Sequence, residues 1–346
     1  MSDEKKCVIC SIGGDAAAAR WAELADGDTT TVCRGACFRR YKRKTTKRAL
    51  VLSGGGTFGA FQAGALCALT EAGLDWDLIV GTSAGALNGA FMAQAPVEKQ
   101  RLRAYELLQF WRSFTSNQVY TTNVGAVLRE VLRDVLRLPL SGSPSLLDTA
   151  PLRATIASNI MKPAAVELKV VATNIATGEA RVVDSTETTD MTSWVLASGS
   201  VPVLFPPVEI DGQLWVDGGV RRNDPVEEAI RAGANEIDVI LCTPLNPSLR
   251  PLGRPPSLFE IAERAIMDVR EGFSNGDAVE WRNSKLARVR VLAPTTLPDM
   301  GILTFDHGKL ELLIEHGAQL AKEMLVRESI GIPEGDAKPA KLDARS

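Results

Sequence analysis

Apolar residues in this chain fall into short blocks with two different periods. ALVLS (49–53) and DLIVG (77–81) are continuous apolar runs of strand length, while FGAFQAGALCALTEAG (58–73) and AGALNGAFMA (84–93) read as helices. A glycine-rich stretch separates the first strand from the first helix. Further apolar, β-branched runs predict strands at LKVVATNI (168–175), EARVVD (179–184), QLWVD (213–217), DVILC (238–242) and RVRVLAP (288–294). Helical patterns occupy 224–232, 256–272 and 306–327, the first opened by Asp224 as N-cap and Pro225 at the first helical position. Strands alternating with helices of this length predict an α/β fold of three layers, with a mostly parallel central sheet covered on both faces.

Between the second helix and LKVVATNI the pattern predicts a helical insertion. Its stretch VLREVLRDVLRL (127–138) puts Val127, Leu128, Val131, Leu132, Val135 and Leu136 on one face, with charged residues on the other. Such a face packs on the protein's own core, the alternative being a lid or a membrane-facing surface. Three zones follow: a cysteine-bearing, basic module at 1–48, a main domain at 49–327 and a polar tail at 328–346.

The 346 residues suit one large domain with a small appendage. Hydrophobic residues at 45% and charged residues at 23% exclude a disordered or fibrous chain. No apolar stretch reaches the roughly 18–20 residues of a bilayer span, and MSDEKKCVIC has no signal core, so a cytoplasmic protein is expected. A net charge of −3 gives no reason to expect nucleic acid. The distribution is uneven, however: Arg34, Arg39, Arg40, Lys42, Arg43, Lys44, Lys47 and Arg48 crowd one segment with no acid between Asp28 and Glu71. Residues 34–48 are either a solvated linker or a peripheral contact with anionic lipid at the inner membrane surface.

Three motifs carry candidate chemistry. Gly54-Gly55-Gly56-Thr57-Phe58-Gly59 lies between a strand and a helix, where backbone N–H groups can surround an anion. The same letters satisfy the dinucleotide-binding G-x-G-x-x-G, but that reading needs an acid at the end of the next strand. That strand ends instead in Gly81-Thr82-Ser83. Gly81-Thr82-Ser83-Ala84-Gly85 is a G-x-S-x-G at a strand-to-helix junction, which either projects a nucleophilic serine or merely caps the helix. Leu214-Trp215-Val216-Asp217-Gly218-Gly219 ends an apolar strand in an aspartate, at the carboxyl edge expected for a ligand site or in a plain Asp-Gly turn. The glycine loop lies one βα unit ahead of the serine, and that proximity favours the nucleophile.

In this order the three motifs resemble the patatin-like phospholipase family. The segment Ala197-Ser198-Gly199-Ser200-Val201-Pro202-Val203-Leu204-Phe205-Pro206-Pro207 and the Asn223-Asp224-Pro225 triplet are similar to the family's flanks of its aspartate strand. The resemblance implies a lipid acyl hydrolase without a catalytic cofactor. It implies Ser83 as nucleophile, Asp217 as base, and Gly54, Gly55, Gly56 and Thr57 as the oxyanion loop. Many members carry an arginine where this chain has Phe58, so a head-group or anion contact is expected to be missing, which ranks phospholipid below a neutral ester or lysolipid as the implied substrate. The competing readings are a scaffold recruited through the basic module, an NAD-binding oxidoreductase using the glycine loop alone, and a Ser-Asp-His triad. Of the two histidines, His307 falls at a helix start and His316 inside that helix, neither in a loop suited to deliver imidazole.

Cys7, Cys10, Cys33 and Cys37 form a C-x2-C and a C-x3-C pair separated by residues 11–32. In a reducing compartment this spacing suits a structural zinc site rather than disulfides, with four free buried thiols as the alternative. Cys67 and Cys242 read as small core residues.

Overall fold

The structure, a computed structural model, describes residues 46–122, 147–160, 163–245 and 286–329, the isolated positions Ile261 and Trp281, and four short strands before residue 34. Those strands form two antiparallel pairs, β1 (Lys5–Lys6) with β2 (Gly13–Gly14) and β3 (Trp21–Glu23) with β4 (Thr31–Cys33). Cys7, Cys10 and Cys37 lie outside the described residues, as do the amphipathic stretch 127–138 and most of 256–272, and Cys33 is described only in its backbone.

The main body starts with β5 (Arg48–Leu52), α1 (Gly59–Glu71), β6 (Leu78–Thr82), α2 (Ala84–Ala93) and α3 (Gln100–Ser113). After the small pair β7 (Thr121–Thr122) and β8 (Leu147–Asp148) come α4 (Ala150–Asn159), β9 (Glu167–Asn174), β10 (Ala180–Asp184) and α5 (Met191–Ser198). The rest is β11 (Val208–Ile210), β12 (Gln213–Asp217), α6 (Val226–Arg231), β13 (Glu236–Ile240), β14 (Arg288–Leu292) and α7 (His307–Ser329). The described part of the helical insertion thus holds α3 and α4.

Eight strands form one sheet in the order β11-β12-β9-β6-β5-β13-β14, with β10 on the other edge of β9. The run β9-β6-β5-β13-β14 is parallel throughout. The strands β10, β11 and β12 join by antiparallel pairing, so the sheet is mixed rather than a plain βα alternation. The strands predicted at 168–175 and 179–184 form a hairpin within the mostly parallel sheet, because only Ile175 to Glu179 connect them and a parallel crossover needs far more chain.

Burial on both faces accounts for the continuous apolar runs. Ala49, Val51, Leu78 and Val80 face one core with Val226 and Ala229 of α6, while Leu50, Leu52 and Ile79 face a larger core built with α1, α2 and α3. Each buried leucine or isoleucine contributes about 1.5–3 kcal/mol by leaving water. The last helix, α7, packs along α1, with the His316 ring edge-on to Phe61 at 5.6 Å.

The Asp224-Pro225 pair does not start a helix as the sequence suggests. Pro225 (φ −77°, ψ 59°) is the centre of a tight turn in which the Val226 N–H donates to the Asp224 carbonyl at 2.8 Å, and α6 begins after it. Among the described residues, no helix is long and apolar enough to cross a membrane.

Candidate active site

Ser83 sits between β6 and α2, at the carboxyl end of a central parallel strand. Its backbone has φ 55° and ψ −123°, a region that costs an L-residue about 1–3 kcal/mol and is held only when the surroundings fix it. Several contacts do so. The Ser83 carbonyl accepts from the Ala86 and Leu87 N–H groups at 2.9 and 3.1 Å, starting α2, and the Ser83 N–H donates to the Ser198 hydroxyl at 2.8 Å. Ser83 makes no side-chain cap to its helix, which separates it from an ordinary serine N-cap. The following glycine is a packing requirement: a Cβ on Gly85 would lie 2.2 Å from the Leu52 carbonyl oxygen, on the neighbouring strand.

Asp217 reaches the same place from the opposite direction. The long strand β9 pairs with β6 along its first part, ending with Thr82 opposite Val171. It then pairs with the antiparallel β12, whose last residue Asp217 is opposite Ala172. The two strands therefore run towards each other along one edge of β9 and end at consecutive registers, which brings Ser83 and Asp217 together. The sequence placed Asp217 at the carboxyl edge of a parallel strand; it lies instead at the end of an antiparallel one. Its carboxylate accepts from the Gly219 N–H at 2.7 Å, its own N–H donates to the Ser200 carbonyl at 2.9 Å, and it is buried.

The glycine loop leaves β5 beside β6 and enters a single 3-10 turn, Gly56–Phe58, ahead of α1. Its amides are not equivalent. The Gly54 N–H donates to the backbone and side-chain oxygens of Asn223, at 3.3 and 3.1 Å, and the Thr57 N–H donates to the Ile302 carbonyl at 2.8 Å. The Gly55 and Gly56 N–H groups donate no hydrogen bond among the described residues. Gly56 has φ +58°, and a Cβ there would lie 2.1 Å from the Ile302 oxygen. Phe58, at the position where an arginine is frequent, is buried in the core.

Ser83 and Gly56 both line one pocket with about 560 Å³ of empty space, its open mouth included. The remaining wall is apolar, including Leu87, Trp111, Phe114, Ile156, Val201 and Phe305. A buried polar chain backs it: Trp111 Nε1 donates to Asn88 Oδ1 (2.8 Å), Asn88 Nδ2 to Gln62 Oε1 (2.8 Å), and Gln62 Nε2 to the carbonyls of Ser53 and Ile240 (2.9 Å each). This chain ties α3, α2 and α1 to the strand ends under the glycine loop. Neither histidine lines the pocket. His307 is exposed at the start of α7, and His316 contacts Thr295 Oγ1 at 3.0 Å, with burial lowering its pKa.

Ser83, Asp217 and the glycine loop were singled out in the sequence, whereas Ser198, Gln62, Asn88 and Ile302, which hold their backbone or back the pocket, were given no part there. The amides left a signal, since Asn88 is the one polar side chain of AGALNGAFMA and Gln62 interrupts the apolar run that opens α1. Ile302 left none: its contribution is a carbonyl from a distant loop.

The mixed sheet, the serine elbow and the glycine loop define an α/β protein with a candidate site at the strand ends, and sequence comparison gives its family. The patatin-like phospholipase family model matches residues 50–230, just over half of the chain, and the chain belongs to that family. It is 31% identical over 216 residues to the mouse patatin-like phospholipase domain-containing protein 7, an alignment covering 59% of this chain and 14% of that protein. It is 30% identical over 207 residues to lysophospholipase nte1 of Aspergillus niger, covering 58% and 12%. The chain thus spans well under a quarter of the length of these relatives. Among solved structures it is similar to VipD from Legionella pneumophila (TM-score 0.40, 15% identity, covering 81% of this chain and 67% of that one). It is also similar to human GIVD cytosolic phospholipase A2 (TM-score 0.41, 9% identity, covering 84% and 60%).

Proposed function

We propose that the protein is a lipid acyl hydrolase cleaving carboxylic esters of fatty acids through Ser83 and Asp217, without a cofactor. The observation that carries this reading is an apolar pocket whose wall includes both Ser83, on its strained turn, and Gly56, whose N–H is unengaged among the described residues. An acyl chain in that pocket gains about 0.8 kcal/mol for each buried methylene.

In the proposed reaction the Ser83 oxygen attacks the acyl carbon while Asp217 takes its proton. The Gly55 and Gly56 N–H groups receive the developing oxyanion. Collapse of the tetrahedral intermediate expels the alcohol, which takes the proton from Asp217 and leaves an acyl-Ser83 ester. Water then attacks that ester, giving a proton to Asp217, and the second intermediate releases fatty acid as the proton returns to the serine. The hydrolase unit spans residues 49–327.

The family and the relatives' names, which include lysophospholipase, favour fatty acyl esters as substrates. The buried Phe58 adds no cation to the loop and favours neutral esters over substrates gripped by their phosphate. The test is a panel of phospholipids, lysolipids, acylglycerols and p-nitrophenyl esters with wild type and Ser83→Ala. Fatty acid release by the wild type alone is expected; equal release by both proteins, or none by folded wild type, contradicts the proposal.

A further inference from the structure

Ser198 is wholly buried at the end of α5, and its hydroxyl accepts the hydrogen bond of the Ser83 N–H at 2.8 Å. Two residues on, the Ser200 carbonyl accepts from the Asp217 N–H at 2.9 Å, and the Ser200 hydroxyl is tied back to the Leu196 carbonyl at 2.9 Å. Gly199, between them, lines the pocket. One three-residue segment therefore grips the backbone of both candidate reacting residues, which lie at the ends of different strands.

The contact to Ser83 has a specific physical consequence. Ser83 occupies a backbone region that its own conformational preference opposes, and its buried N–H cannot pair within α2, since the first amides of a helix have no partner inside it. Without an acceptor in that position, the chain gains by rotating the amide away, which would swing the side chain as well. A hydroxyl is the smallest side-chain acceptor that fits a fully buried site and can orient its proton elsewhere.

We propose that Ser198 is a positioning residue for Ser83, holding the turn in its strained conformation, and that the Ser198-Gly199-Ser200 segment sets the separation of Ser83 from Asp217. The proposal rests on the nucleophile reading of Ser83. Misplacing a reacting atom by about 1 Å costs on the order of 100-fold in rate, so Ser198→Ala should react roughly 10- to 100-fold more slowly.

The test uses a fluorophosphonate probe on the full chain, with the maximal inactivation rate and the half-saturating concentration measured separately for wild type, Ser83→Ala, Ser198→Ala, Ser198→Thr and Thr70→Ala. Thr70→Ala removes another buried hydroxyl, from α1 and outside the pocket wall, and controls for general loss of stability. The expected result is a 10- to 100-fold lower maximal rate in Ser198→Ala at half-saturation within about twofold of wild type, with full final labelling. Ser198→Thr, which keeps the hydroxyl, should recover most of the rate, and Thr70→Ala should match wild type.

Should Ser198→Ala not fold, Ser198→Cys is measured in its place, and the weaker sulfur acceptor should give an intermediate rate. Labelling at the wild-type rate in folded Ser198→Ala or Ser198→Cys, still confined to Ser83, leaves the nucleophile in place and overturns the positioning role. A lower final amplitude at unchanged rate also overturns it, since that marks misfolded protein only. Labelling that survives Ser83→Ala removes the nucleophile and the proposal together.

Discussion

Replacing Gly56 with alanine tests the oxyanion assignment through a perturbation whose size follows from the structure. The added methyl would lie 2.1 Å from the Ile302 carbonyl oxygen, a backbone atom that cannot swing aside. Loop and oxygen must separate by roughly 1 Å or more to restore a normal contact. That separation stretches the Thr57-to-Ile302 hydrogen bond, now 2.8 Å, and shifts Gly56 off the pocket wall together with the adjoining Gly55 amide. The left-handed backbone at φ +58° costs alanine about 1–2 kcal/mol, and the strained hydrogen bond about 1 kcal/mol more. The melting temperature should fall by about 5–10 °C. Turnover should fall by about 100- to 1,000-fold, the usual effect of losing one oxyanion donor. Gly73→Ala is the matched control: its φ is +88°, but a methyl there meets nothing within 4 Å. It should lose a few degrees of melting temperature and keep turnover within about twofold. Hydrolysis of a p-nitrophenyl ester, normalised to folded protein by circular dichroism, provides the assay. Folded Gly56→Ala with turnover within about threefold of Gly73→Ala would refute the assignment of the oxyanion donors.

Three further outcomes are expected. Asp217→Asn should lose about 100- to 10,000-fold in turnover on the same ester, as for a missing general base, with KM little changed. His307→Ala and His316→Ala, singly and together, should stay within about tenfold of wild type, because neither ring lines the pocket; a loss as large as that of Asp217→Asn would indicate a triad. Burial lowers the His316 pKa below its usual 6.5, so the unfolded chain takes up that proton first as pH falls. The wild type should therefore lose stability on acidification from the unfolded histidine value down to the folded one, and His316→Gln should flatten that part of a denaturation-versus-pH curve.

The parallel core and the elbow were legible because both are local. ALVLS, DLIVG and AGALNGAFMA carry their own periodicity, and the helix of the last lies at Ala84–Ala93 as the pattern places it. Strand direction was less legible. The hydrophobic run QLWVD is the same whether it lies parallel or antiparallel, and only its pairing with Ala172 to Asn174 of β9 decides. The loop's amides were indistinguishable in sequence, since what engages Gly54 and Thr57 comes from Asn223 and Ile302, far along the chain. Ser198 lay inside a segment singled out for its resemblance, but a serine in ASGS gives no hint that its hydroxyl will meet the Ser83 N–H.

The central claim is that Ser83 forms the covalent intermediate, and peptide mapping by mass spectrometry after treatment with a fluorophosphonate probe tests it most directly. One adduct per chain on the peptide containing Ser83, absent from folded Ser83→Ala, is the predicted result. An adduct on any other residue of the wild type, or one that persists in Ser83→Ala, would contradict it.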